Sequence, residues 1–151
     1  MSEIKGEISR RQLLKMASPL GKVTLEKARC TGCGLCALDC PTGALIVSFS
    51  GEAEVYQLLF KHNLCVACGR CVEVCPEHCL HLERTLELDE LNRPAVLFED
   101  EIVRCSECHS PFASRAMINI IKAKLPATCA SSQFELCPEC KAKVQLSRLG
   151  K

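Results

Sequence analysis

Tryptophan is absent from this 151-residue chain, and tyrosine occurs once. With five phenylalanines besides, aromatics make up 4% of the sequence, too few for ring packing alone to hold a core. No apolar run reaches the roughly 18 residues that a bilayer-crossing helix needs. Charge of neither sign dominates. The 19 Lys and Arg face 18 Asp and Glu, giving a formal +1, so the basic footprint of a nucleic-acid binder is missing. A Gly-rich nucleotide fingerprint and a recognisable pair of catalytic carboxylates are missing too. What the chain has in abundance is cysteine, 14 of 151 residues, and disulfides or metal must account for them.

Spacing decides between the two. Cys30, Cys33, Cys36 and Cys40 form C-x2-C-x2-C-x3-C, closed by Pro41. Cys65, Cys68, Cys71 and Cys75 repeat the run 35 residues later, closed by Pro76, and Gly34 recurs as Gly69. A disulfide framework gives no reason for such a duplication; metal ligation does. Three closely spaced thiolates wrap one face of a metal cluster while the chain turns tightly around it. Gly32, Gly34 and Gly69 suit that turn, and its N–H groups can point at sulfur.

The duplicated run resembles the 2[4Fe-4S] ferredoxin family over about residues 22–84. The resemblance implies an α+β, ferredoxin-like fold with two pseudo-two-fold related halves, each a strand, a cluster loop, a short helix and a return strand. It also implies that the fourth cysteine of each run crosses over. The expected ligand sets are Cys30, Cys33, Cys36 with Cys75, and Cys65, Cys68, Cys71 with Cys40. Val23-Thr24-Leu25 and Leu45 to Phe49 fit the strands of the first half. Val55 to Phe60 and Leu80-His81-Leu82 fit those of the second, with a hairpin turn at Ser50-Gly51-Glu52.

Cys79 follows Cys75 by four, where the first half has Ala44 after Cys40. It therefore reads as a small buried hydrophobe, with an extra ligand or redox thiol as the alternative. His78 and His81 flank it as weaker ligand candidates. His62 reads as a surface residue near a cluster.

Downstream, Cys105-x2-Cys108 and Cys137-x2-Cys140 offer four thiolates to one tetrahedral ion. Zinc is the first expectation, a rubredoxin-type iron the second, a third cluster the last. Between the pairs, Ser110 and Pro111 can open a helix in which Met117, Ile118, Ile121 and Leu125 recur at helical spacing before Pro126. His109 and Cys129 read as bystanders. This tail, with Pro111-Phe112-Ala113, Phe134-Glu135 and Cys137-Pro138-Glu139-Cys140-Lys141, is similar to the small ferredoxin-type subunits of formate hydrogenlyase and hydrogenase-4 complexes. Those are related to the two-cluster subunit of respiratory complex I.

At the N-terminus, Ser9-Arg10-Arg11-Gln12-Leu13-Leu14-Lys15 looks like a twin-arginine export motif but lacks an apolar h-region and a cleavage site. A short amphipathic arm capped by Ser9 and Gln12 is the expectation. The organisation expected is an arm at 1–21, a dicluster domain at 22–84, a connecting hairpin at 85–104 and a metal-binding extension at 105–151.

Two oxidised cubanes and a tetrathiolate zinc, each about −2, would carry the formal +1 to about −5. A radical enzyme would want an open iron, whereas four thiolates close each expected cubane. The resemblance thus implies a non-catalytic electron-transfer subunit, cytoplasmic or else peripheral on the cytoplasmic side of the membrane within a complex, docked against large oxidoreductase and other iron–sulfur subunits. A freely diffusing ferredoxin is the alternative.

Overall fold

A computed structural model describes residues 21–50, 54–85, 89, 91, 93–126 and 134–149. The expected N-terminal arm, most of the Ser50-Gly51-Glu52 turn and Cys129 lie outside the described residues. The chain is mixed α+β. In order it forms β1 (Lys22–Leu25), α1 (Leu35–Leu38), β2 (Leu45–Ser50), β3 (Val55–Phe60), a 3-10 turn (His62–Leu64), α2 (Arg70–Glu73) and β4 (Leu80–Glu83). Then come β5 (Ala95–Arg104), β6 (Pro111–Ser114), α3 (Arg115–Lys124) and α4 (Pro138–Leu149).

The strands fall into two sheets. β1 pairs antiparallel with β4, Leu25 opposite Leu80 and Lys22 opposite Glu83. The other sheet has the order β2-β3-β5-β6. Its β3 alternates, burying Tyr56, Leu58 and Phe60 on the face that meets the cysteine loops, as period-two patterning requires. Leu58 stands opposite Phe98 of β5, and a register shift follows at Leu59. Leu45, Leu58, Phe60, Leu80 and Phe98 share one core with the cysteines of both runs. With so few aromatics, the thiols are themselves part of the packing.

The 35-residue interval of the sequence recurs in the backbone. α1 and α2 begin at Leu35 and Arg70, and left-handed residues pair off at the same interval: Gly32 with Ala67, Gly34 with Gly69, Gly43 with His78. Helices of four residues are far below the length that stands alone, so the surrounding loops hold them.

Three elements differ from expectation. Within 85–104, where a connecting hairpin is expected, Ala95–Arg104 forms a ten-residue strand between β3 and β6. The helix expected to open at Ser110 starts at Arg115. Pro111–Ser114 pair with Ile102–Arg104 instead, and Pro111 is tolerated there because β6 is an edge strand. Ser114 takes over the capping, its Oγ accepting the Met117 N–H at 3.2 Å. Ile118 is buried against Val103 and Ala113, as the helical spacing implied. Finally, α4 was not anticipated; Pro138 opens it at the position where a missing N–H costs nothing.

Candidate metal centres

Two cavities lie between the sheets and the short helices. The first is walled by Cys30, Cys33, Cys36 and Cys75, together with Cys79. The second is walled by Cys40, Cys65, Cys68 and Cys71. Each cavity therefore draws three cysteines from one run and the fourth from the other. Aliphatic side chains close them, Leu25, Leu58 and Leu80 around the first, and Val23, Leu45 and Leu82 around the second.

Electrostatics divides the cysteines into two kinds. Burial pushes Cys36 up to about 12 and Cys71 up to about 11, and it raises Cys30 and Cys65 as well. Burial also acts on Cys40 and Cys75, but there the N–H groups of the following turn win. The Leu45, Thr42 and Ala44 amides, with the Thr42 hydroxyl, hold Cys40 below the usual thiol range. Donors from Cys79, Glu77 and His78 do the same for Cys75. Gly32 N–H points at Cys30 Sγ at 3.4 Å, as such a loop should. Thiols packed in an apolar cavity edged by N–H donors suit an iron–sulfur cluster, whose iron neutralises thiolate charge.

Cys79 is 2% exposed and its Sγ lies 3.6 Å from Cys75 Sγ, so it is buried as expected and also touches the cavity. His78 and His81 line neither cavity; His81 Nε2 meets Glu26 Oε1 at 2.9 Å on the surface. His62 corrects the expectation of a surface residue. It is 3% exposed, its ring 4.5 Å from that of Phe60.

The structure adds residues that spacing did not mark. Gly21 approaches Cys65 so closely that a Cβ would stand 2.7 Å from its Sγ. Ser114 Oγ donates to the Thr31 carbonyl at 2.9 Å, tying the start of α3 to the first loop. Tyr56 is buried with its Oη unpartnered among the described residues. Such a group costs about 1–3 kcal/mol. Only the Gly21 contact had a possible signal, a glycine just before a strand.

The third centre gathers Cys105, Cys108, Cys137 and Cys140, whose Sγ atoms all lie within 4.8 Å of one another. Two knuckles build it. Cys105-Ser106-Glu107-Cys108 turns back after β5, with Cys105 N–H on the Ser110 carbonyl at 3.0 Å and His109 N–H on the Cys105 carbonyl at 2.9 Å. Cys137-Pro138-Glu139-Cys140 opens α4, and Cys137 N–H donates to Cys105 Sγ at 3.3 Å. Backbone N–H groups of Cys108 and Cys137 draw Cys105 down to about 6. Hydrogen bonding to the thiols of Cys137 and Cys108 pushes Cys140 up to about 12. Thiolates 2.3 Å from a tetrahedral ion stand roughly 3.8 Å apart. Cys108 and Cys137 stand 3.7 Å apart, so the set fits one metal ion and is too tight for the corners of a four-iron cube. His109, exposed and left-handed, is not in the set.

Comparison with known proteins agrees with the chemistry. Residues 29–80 match the 4Fe-4S dicluster domain family. Subunit I of the NAD(P)H-quinone oxidoreductase of Gloeobacter violaceus is 27% identical over 85 residues, 53% of this chain and 41% of that protein. NADH-quinone oxidoreductase subunit I 2 of Geobacter metallireducens is 31% identical over 84 residues, 53% of this chain and 64% of that protein. A ferredoxin of Pyrobaculum islandicum is 28% identical over 99 residues, 66% of this chain and 74% of that protein. The chain thus spans less than two thirds of either quinone oxidoreductase subunit. No helix among the described residues is long and apolar enough to cross a membrane. Residues 29–80 are a 4Fe-4S dicluster domain of ferredoxin type, an iron–sulfur electron-transfer unit of a typically non-catalytic kind, and the chain joins to it a four-cysteine metal site.

Proposed function

We propose that the chain is an electron-transfer subunit that passes single electrons through two [4Fe-4S] clusters inside a multi-subunit oxidoreductase. The observation that carries this reading is the exchange of Cys40 and Cys75 between two neighbouring cavities. Cys30, Cys33, Cys36 and Cys75 would hold one cluster, and Cys65, Cys68, Cys71 and Cys40 the other. When bound, such clusters accept and release one electron at a time. The chain's part is to bury them, aim N–H groups at their sulfur and keep water from them.

The likeness to two quinone oxidoreductase subunits supports a subunit, whose partners would be large oxidoreductase and other iron–sulfur chains. The tail pattern favours a hydrogenase or formate hydrogenlyase relative of complex I. The match covering 74% of a Pyrobaculum ferredoxin supports the second reading, a freely diffusing carrier. For Cys105, Cys108, Cys137 and Cys140 the tight thiolate spacing supports one structural ion, zinc before iron.

Anaerobic purification of the natural assembly tests both levels. About eight iron and eight sulfide per chain, with one further tetrathiolate metal, and co-purification at fixed stoichiometry with larger subunits are expected. Four iron per chain would reject the two-cluster reading. A monomeric, fully loaded protein that transfers electrons by collision would reject the subunit reading.

A further inference from the structure

Tyr56 has a polar atom without a partner among the described residues. The residue is 2% exposed on β3, its ring edge-on to Phe49 at 5.5 Å and to Phe98 at 6.2 Å. Phenylalanine would satisfy those contacts equally well. Yet the side chain ends in a hydroxyl that is buried and has no hydrogen-bond partner among the described residues. That hydroxyl lies against the first cysteine loop: a Cβ on Gly34, between Cys33 and Cys36, would stand 3.5 Å from it. The nearby carboxylate of Asp100, opposite Tyr56 on β5, is taken by the Ala116 N–H at 2.6 Å. On the second cavity the aromatic wall is Phe60, which carries no donor, and the local hydroxyl is Thr42, 3.7 Å from Cys40 Sγ.

We propose that Tyr56 is a potential-setting residue for the first cavity, its hydroxyl donating a hydrogen bond to the thiolate sulfur of Cys33 or Cys36 when a [4Fe-4S] cluster is bound there. The inference rests on the two-cluster reading above. An iron-bound thiolate carries charge and is a strong hydrogen-bond acceptor. One-electron reduction adds negative charge to the cluster and its sulfur ligands. A donor at that sulfur favours the reduced form and raises the potential. Because Oη lies against the first loop, the effect belongs to one cluster.

Tyr56→Phe keeps the ring and removes the proton. In the holo-protein, potentiometric titration followed by EPR should show the first cluster becoming harder to reduce while the second is unmoved. Paramagnetically shifted cysteine β-protons would tell the two apart. The partition of one electron between the clusters should move on the order of tenfold toward the second, which is 59 mV for a one-electron couple. An exchangeable proton coupled to the first cluster, seen by ENDOR after transfer to heavy water, should disappear in the variant. Eight iron per chain with unchanged potentials, or an equal shift in both clusters, would overturn the role of Tyr56 alone. Four iron per chain in the unsubstituted protein would overturn the two-cluster reading and this role with it.

Discussion

Gly32 in the first cysteine loop and Ala67 in the second occupy corresponding places, 35 residues apart, and both are left-handed, with φ of 63° and 51°. Alanine is therefore compatible with this turn. A Cβ on Gly32, however, would stand 2.5 Å from Ser114 Oγ and 2.8 Å from Phe98 Cε1. Glycine is needed in the first loop because β5 and the start of α3 press against it, over and above the ordinary cost of a left-handed residue with a Cβ. At the other corresponding pair, a Cβ on Gly34 would meet Val47 Cγ2 at 3.1 Å, whereas one on Gly69 in the second loop would meet nothing within 4 Å. One motif thus sits in two settings. The duplication provides matching sets of thiolates, and the chain that follows residue 94 makes their surroundings unequal.

The largest expected effect removes a thiolate and asks whether the halves are wired across. Cys75→Ser should abolish the cluster of Cys30, Cys33 and Cys36, and Cys40→Ser that of Cys65, Cys68 and Cys71. Iron per chain should fall from about eight to about four in each case. Cysteine β-proton resonances of the surviving cluster identify it, and survival of the distant set instead of the local one would refute the crossing.

Next comes the contrast between the loops themselves. Gly69→Ala should cost about 1–2 kcal/mol, the ordinary penalty of a left-handed residue with a Cβ. Gly32→Ala should cost about 1–3 kcal/mol more, because the methyl meets packed neighbours. Thermal bleaching of the cluster absorbance, recorded for both variants, measures the difference; equal midpoints would mean that the crowding at Gly32 has no consequence.

Ser114→Ala should be milder, about 1–2 kcal/mol, for a lost helix cap and a Thr31 carbonyl left buried without its donor. The signature is selectivity: chelators should strip the first cluster faster while the second loses iron at its original rate.

The smallest effect concerns the exposed pair joining the loops, in which Arg70 Nε and Nη2 donate to the Asp39 carboxylate at 3.0 and 2.9 Å. Arg70 holds Asp39 below its ordinary range, so the pair contributes above that range and its contribution is lost as pH falls through the lowered value. Solvent screens it at neutral pH. Arg70→Gln should shift the midpoint only slightly at low salt, and not measurably at 1 M salt.

Much of the site was legible because its ligands are local. C-x2-C-x2-C places three thiolates on one turn whatever surrounds it, and β3 keeps the bounds, Val55 to Phe60, that the ferredoxin resemblance implies. Helix placement was less secure: Ser110 and Ser114 are both good caps, and only the pairing of Pro111–Ser114 with β5 chose the later one. His62 carried no mark of burial, since a polar ring packed on Phe60 has no spacing to betray it.

By itself the sequence determined the local cysteine runs, C-x2-C-x2-C and C-x2-C, and the tight glycine-bearing turns around them. These depend on residues within a few positions of one another, where geometry is fixed by the chain. Tertiary structure alone decided that Ser114 reaches Thr31 across 83 residues, that Gly21 lies against Cys65, and that the Tyr56 hydroxyl lies against the first loop. Such contacts arise where separate elements pack. No local period encodes them, because the partner is chosen by the folded surface that the rest of the chain presents.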